Sequence, residues 1–203
     1  MDHLSSGRRR HRDIVAAIGL GVGAAFGLAG TLVEQAPVRQ TFWAIDGVGL
    51  IGASALLTAK FLRKGHDCVA AGFLVFAIGE SLLLSGTAAG LAGSVPSFGG
   101  GVALWAAGLL LTSIPREFAN WVRLVGVAAA GLFAIVATRI FWGELLLPTS
   151  APLPFLAYPL LALLVLTFVG WIRALVKGET VGMSGERVEQ PSPPIQPTGS
   201  TDG

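Results

Sequence analysis

The sequence predicts an all-α, polytopic integral membrane protein, built as a bundle of six transmembrane helices with both termini in the cytoplasm. The mean hydropathy is +0.70, and only 13% of the 203 residues are charged. A soluble domain carries about 25% charged residues, so an ordinary water-soluble enzyme is excluded. Fourteen basic and 12 acidic residues give a net charge of only +2, which argues against nucleic acid as a partner.

Six apolar runs account for the membrane domain. A bilayer core of about 30 Å needs about 20 apolar residues in a helix. The qualifying runs are residues 14–33, 42–62, 68–92, 98–114, 122–142 and 153–172. We therefore expect three segments: a basic cytoplasmic N-terminus at 1–13, a six-span domain at 14–177, and a disordered cytoplasmic tail at 178–203, where Pro, Gly, Ser and Thr dominate. A cleaved signal peptide is the alternative for the first run, which is longer than the usual apolar region of about 7 to 15 residues.

The basic residues predict the orientation, because cytoplasmic flanks retain Lys and Arg during insertion. With the N-terminus inside, only Arg39 and Arg139 fall on the outer side. The remaining 12 fall inside: Arg8, Arg9, Arg10, Arg12, Lys60, Arg63, Lys64, Arg116, Arg123, Arg173, Lys177 and Arg187. This bias favours six crossings with both termini in the cytoplasm.

Regularly spaced glycines mark candidate helix-packing faces. In lipid, helices associate through close backbone approach, which small residues allow. The first run repeats glycine every fourth residue and the third run every seventh, at Gly19, Gly23 and Gly27 and at Gly72, Gly79, Gly86 and Gly93. We interpret both sets as contact faces, within the chain or with another copy; a glycine-lined pore is the alternative.

Glu80 is the clearest ionisable residue near the centre of a span. Such a group is costly in a bilayer, by about 3 kcal/mol on insertion scales, and normally faces the bundle interior with a partner. Ser54 and Trp105 lie at similar depth and are candidate hydrogen-bond partners. Glu80 is therefore a candidate intramembrane proton or ion site; the alternative is a neutral acid that donates an interhelical hydrogen bond.

Asp46 and Arg139 form a candidate ion pair. Each lies about one turn inside the outer end of its span, so their depths match. Opposite charges at one level predict a pair that holds the second and fifth helices together. Glu144 is a competing partner for Arg139, and an externally open ligand site is the other use for these charges.

The residues that most catalytic and cofactor sites need are missing from the spans. The three histidines, His3, His11 and His66, fall in predicted cytoplasmic segments, which excludes a bundle-bound haem and a Ser–His protease. Paired cysteines and zinc motifs are absent from the sequence, whose single cysteine is Cys68. We therefore expect no catalytic residues, no metal and no cofactor.

Two functions remain. The first is a structural or accessory membrane protein that acts through helix contacts with itself or a membrane partner. The alternative is a small proton- or cation-coupled transporter or channel that uses Glu80. In both cases the lipid bilayer is a partner and nucleic acid is not. The short loops favour the inner membrane of a bacterium as the location.

Overall fold

The computed structural model describes residues 2–176, with side chains described for residues 11–173. The regular secondary structure of this part of the chain is all helical, and it contains no strand. The six long helices are α1 (Asp2–Leu32), α2 (Ala36–Leu62), α3 (Asp67–Gly86), α4 (Val95–Ser113), α5 (Asn120–Phe141) and α6 (Leu153–Val176). Six helices are long and apolar enough to span a membrane, so the prediction of an all-α chain with six such helices is confirmed.

The helix ends differ most from the predicted runs at three places. Helix α1 begins at Asp2, 12 residues before the predicted run, so it includes most of the predicted N-terminal segment 1–13. Helix α2 begins at Ala36, six residues before the predicted run, because Pro37 suits a first helical turn. Helix α3 ends at Gly86 and continues as a 3₁₀ turn and the one-turn helix Gly90–Gly93. Gly90 has a φ of +75°, a left-handed conformation that favours glycine and breaks the predicted run at this point. The tail predicted at 178–203 lies outside the described residues.

The six helices form a closed ring. Each helix packs against the next one in the chain, and α1 packs against α6. Neighbouring helices are antiparallel, so the connections 33–35, 87–94 and 142–152 meet at one end of the bundle, here called the hairpin end. The links 63–66 and 114–119 lie at the opposite, terminal end, together with the start of α1 and the end of α6. A ring of this kind has an interior that all six helices can face.

Helices α1 and α2 approach each other closely along the glycines of α1. A Cβ atom built on Gly19 would lie 2.7 Å from the carbonyl oxygen of Gly49, which is too short for a real contact. A Cβ on Gly23 would lie 2.5 Å from the side chain of Leu50. Glycine is therefore required at both positions for this separation of the helices.

Helices α3 and α4 approach each other in the same way. Cβ atoms on Gly72 and Gly79 would each lie 2.9 Å from a backbone oxygen of α4, at Gly108 and Gly101. These four glycines bring the two backbones into direct contact. The spacing of seven places Gly72 and Gly79 on one face of α3, where they act as the close-packing positions of this helix pair.

The last two glycines of the third run have different environments. A Cβ on Gly86 would collide with Ser97 at the start of α4, so Gly86 continues the close contact. Gly93 lies in the connection to α4, where a Cβ would meet only Ala89, at 3.1 Å. The packing face of α3 therefore ends at Gly86.

Aromatic rings fill the terminal end of the ring. Five rings from α2, α3, α6 and the link before α5 contact one another, with centroid distances of 4.9 to 5.9 Å. This aromatic plug consists of Phe61, Phe73, Phe118, Phe168 and Trp171. The four phenylalanines are buried, so the interior is closed at the terminal end.

Candidate functional site

A cavity of about 80 Å³ lies inside the ring toward the hairpin end. Five of the six helices line it, together with Pro148 from the connection before α6. Gly23 is the lining residue of α1 farthest from the hairpin end, nine residues before Leu32, which corresponds to a depth of about 14 Å. One water needs about 10–15 Å³ on this measure, so the cavity has room for roughly five to eight waters.

Glu80 lines this cavity from the middle of α3. It faces Gly47 of α2, where a Cβ would lie in ordinary contact with Glu80 Oε1, at 3.5 Å. The residue is only 3% exposed, and Glu80 Oε2 is buried without a hydrogen bond. Glu80 is thus a carboxyl that faces a small interior space rather than lipid.

Asp46, the residue before Gly47, brings a second carboxyl to the same cavity. It is 7% exposed, and its Oδ1 is buried without a hydrogen bond. Two glycines of α1 make room for it, because Cβ atoms on Gly27 and Gly23 would lie 2.6 and 3.2 Å from its oxygens. Asp46 and Glu80 lie close enough for their charges to interact.

The two carboxyls have no countercharge at the cavity. None of its lining residues is Lys, Arg or His. Two desolvated carboxylates at short range repel each other, and each is costly to ionise in an apolar interior. The pair must therefore hold protons, a mobile cation or both.

Arg139 does not meet Asp46, and this corrects the ion pair predicted from the sequence. Arg139 binds Glu144, with Nη2 to Oε2 at 2.5 Å, and the two side chains are 40% and 47% exposed. The cause is the direction of the side chains: Asp46 points into the ring, whereas α5 contributes no residue to the cavity wall. Equal depth along two helices therefore did not mean proximity.

Of the two hydrogen-bond partners expected for Glu80, Trp105 lies beside it and Ser54 does not. The indole of Trp105 interacts with Glu80, but it falls short of hydrogen-bond geometry, so Trp105 Nε1 is buried without an acceptor. Ser54 does not line the cavity of Glu80; its buried hydroxyl also lacks a partner. The site thus keeps an unused indole N–H beside an unused carboxyl oxygen.

Aromatic side chains form much of the remaining wall. Trp105 stacks on Phe76 with ring centroids 5.3 Å apart, and Tyr158 contacts Trp105 edge-on at 6.2 Å. Trp43 and Phe98 line the cavity as well. Trp and Tyr near the ends of spans usually lie at the membrane surface, but Trp43 and Tyr158 line the cavity. No sequence signal distinguished these two from belt residues.

A second, smaller cavity continues the interior toward the aromatic plug. Its volume is about 20 Å³, and Ser54 and Thr112 are among its lining residues. Leu161 and Val165 of α6 line both cavities, so they separate the two spaces. Phe73 and Phe168 of the plug line its wall.

A metal site is not formed by this part of the chain. Within the described residues, no three His, Cys, Asp or Glu side chains come together. His66 lies at the terminal end, where its Nδ1 is 3.1 Å from Glu117 Oε1. It is therefore engaged far from Asp46 and Glu80.

Comparisons of the chain with protein-family models, with curated proteins and with solved structures gave no match. The geometry of the cavity is thus the observation from which function has to be inferred.

Proposed function

We propose that this protein is a small transporter that moves protons or small cations across a membrane through the cavity of Asp46 and Glu80. The observation that carries the proposal is the pair of buried carboxyls that face one interior cavity without a countercharge. Ionisable groups kept inside a membrane domain normally mark ion or proton pathways. A pair that served only to hold helices together would be expected to satisfy its own hydrogen bonds.

The proposal places the terminal end in the cytoplasm, so that both termini are inside. The basic residues of the links and helix ends support this orientation, because within residues 2–176 only Arg39 and Arg139 belong to the hairpin end. The cavity then opens toward the outside and the aromatic plug closes the inside. The cell membrane, in particular the inner membrane of a bacterium, is the proposed location.

The inferred mechanism alternates access to the carboxyl pair. In the state described above, Asp46 and Glu80 exchange protons or cations at the hairpin end while the plug blocks the terminal end. Transport requires Leu161 and Val165 of α6 to move away from the facing helices, so that the two cavities join. It also requires the rings of the aromatic plug to move apart. Ser54 is the hydroxyl in the smaller cavity that would meet the ion next.

The accessory role predicted from the sequence has less support. It drew on the glycine faces, the ion pair of Asp46 with Arg139 and the lack of catalytic groups. Six of the seven glycines contact other helices of the same chain, and Arg139 binds Glu144 instead of Asp46. We keep helix-mediated assembly, with a second copy or another membrane protein, as the function that follows if the protein transports nothing.

Reconstitution of the purified full chain in lipid vesicles tests the proposal. Proton, Na⁺ and K⁺ fluxes are followed with trapped indicator dyes after a step in pH or salt. We expect flux in the parent, at least a tenfold loss in Glu80→Gln and Asp46→Asn, and unchanged flux in Glu144→Gln, which alters a carboxyl outside the cavity.

Circular dichroism and thermal unfolding of each variant establish that it is folded before its flux is compared. A folded parent that moves none of these ions would overturn the proposal. So would flux that persists in a folded double variant, Asp46→Asn with Glu80→Gln.

A further inference from the structure

We propose that the cavity is a binding site for a small monovalent alkylammonium ion, with the ammonium between Asp46 and Glu80 and the alkyl chain among the aromatic rings. The inference rests on the proposed function and names its substrate class. The charge of the cavity, the chemistry of its wall and its size support this substrate class.

The charge of the site selects a cation. Asp46 and Glu80 are the acidic groups of the wall, and the wall has no Lys, Arg or His. Tyr158 is the other titratable side chain that lines it. Arg39 lies near the start of α2, but its guanidinium Nη1 donates to the backbone oxygens of Val33 and Glu34, each at 3.3 Å. Its guanidinium carbon lies 5.7 Å from the centroid of the Trp43 ring, but Arg39 does not line the cavity itself. The charged side chains that do line it are both acidic and disfavour an anionic ligand.

Unused polar atoms are directed at the cavity. Glu80 Oε2 and Asp46 Oδ1 are buried acceptors without a hydrogen bond, whereas Trp105 Nε1 is a buried donor and offers no acceptor to an ammonium ion. An ammonium group has three N–H donors, which is enough to serve an oxygen of each carboxyl. The buried acceptors thus match a donor-rich cation.

The rest of the wall is apolar and aromatic. Trp43, Phe98, Trp105 and Tyr158 present rings to the space, and leucine, alanine and valine side chains supply most of the remainder. Aromatic faces attract ammonium ions and pack against methylene groups. The cavity of about 80 Å³ accommodates roughly five to eight water-sized groups, and butylammonium has five heavy atoms.

The same wall does not suit a divalent metal ion. Ca²⁺ and Mg²⁺ need about six oxygen ligands at short range. Beyond the two carboxyls the polar side chains are mainly hydroxyls, and Thr31, Thr87 and Ser94 each donate to a backbone oxygen three residues earlier. These hydroxyls are held close to their own helices, so a dehydrated metal would lack ligands.

Isothermal titration of the full chain in detergent micelles tests the inference, with butylammonium as the probe and butyrate as the anionic control. The cation replaces the proton that the carboxyl pair holds, so we expect binding to release about one proton per ion. The release is measured by repeating the titration in buffers of different ionisation enthalpy. We expect no heat of binding from butyrate.

Variants assign the binding to the cavity. We expect at least a tenfold loss of butylammonium affinity in Glu80→Gln and in Asp46→Asn, and no change in Glu144→Gln. Equal affinity in folded variants, or a parent that does not bind butylammonium, overturns the inference.

A measurement on the parent protein remains informative if the variants do not fold. Dicyclohexylcarbodiimide modifies protonated carboxyls in apolar surroundings, and mass spectrometry locates the modified residue. We expect butylammonium to protect Glu80 from modification and butyrate to leave it unprotected. If proton flux in vesicles depends on Glu80 but butylammonium neither binds nor protects, the substrate class is wrong while the transporter proposal stands.

Discussion

Gly27→Ala is expected to disable the carboxyl site without altering either carboxyl. A Cβ at this position would lie 2.6 Å from Asp46 Oδ2 and 2.9 Å from Asp46 Cγ. Nonbonded atoms need about 3.5 Å, so the carboxyl must move by about 0.9 Å. Displacements near 1 Å cost a positioned group up to about 100-fold in function. We expect a 10- to 100-fold loss of Glu80-dependent flux and of butylammonium affinity, measured in vesicles and by titration.

Stability should change little, because the clash is with a side chain that can rotate. An off-rotamer side chain costs about 0.5–1.5 kcal/mol, and replacing glycine by alanine inside a helix returns about 1 kcal/mol. Gly21→Ala is the matched control, since a Cβ there meets nothing within 4 Å. If Gly27→Ala keeps parental flux and affinity, or if Gly21→Ala loses them equally, the assignment of Asp46 to the site is wrong.

Three further changes test other parts of the structure. Gly72→Ala places a Cβ 2.9 Å from backbone atoms of α4 and should destabilise the fold by about 1–3 kcal/mol in denaturant unfolding, whereas Gly131→Ala, with open space around it, should not. Arg139→Gln should leave flux and the unfolding midpoint unchanged, because its partner Glu144 is an exposed carboxylate; a large loss would indicate a role that this pair does not explain. Phe118→Ala removes a ring of the aromatic plug and should cost about 3–5 kcal/mol and raise the passive ion leak of vesicles; an unchanged leak would place the barrier elsewhere.

Helix number and approximate helix ends were predictable from the sequence, because run length and hydropathy respond directly to the thickness of a bilayer. The end of α3 was not, since Gly90 has an unusual φ inside an apolar run. The glycine spacing also predicted which residues of α1 and α3 lie at helix contacts. Residues four or seven apart lie on one face of a helix, whichever helix packs against that face.

The composition of the site was only half predictable. Glu80 was identifiable because a lone acid inside an apolar run has few explanations. Asp46 was assigned to the wrong partner, because sequence gives the depth of a residue but not the direction it faces in the assembled ring. The space for the Asp46 carboxyl depends on Gly27, because a Cβ there would lie 2.6 Å from Asp46 Oδ2.

Because α1 packs against α6, the ring of helices closes only after α6 has been synthesised. The wall that α6 provides, with Tyr158, Leu161 and Val165, is the last to leave the ribosome. Until it docks, the wall around Asp46 and Glu80 is incomplete on the side that α6 covers. A chain that ended before Leu153 would therefore carry both acids without their full enclosure.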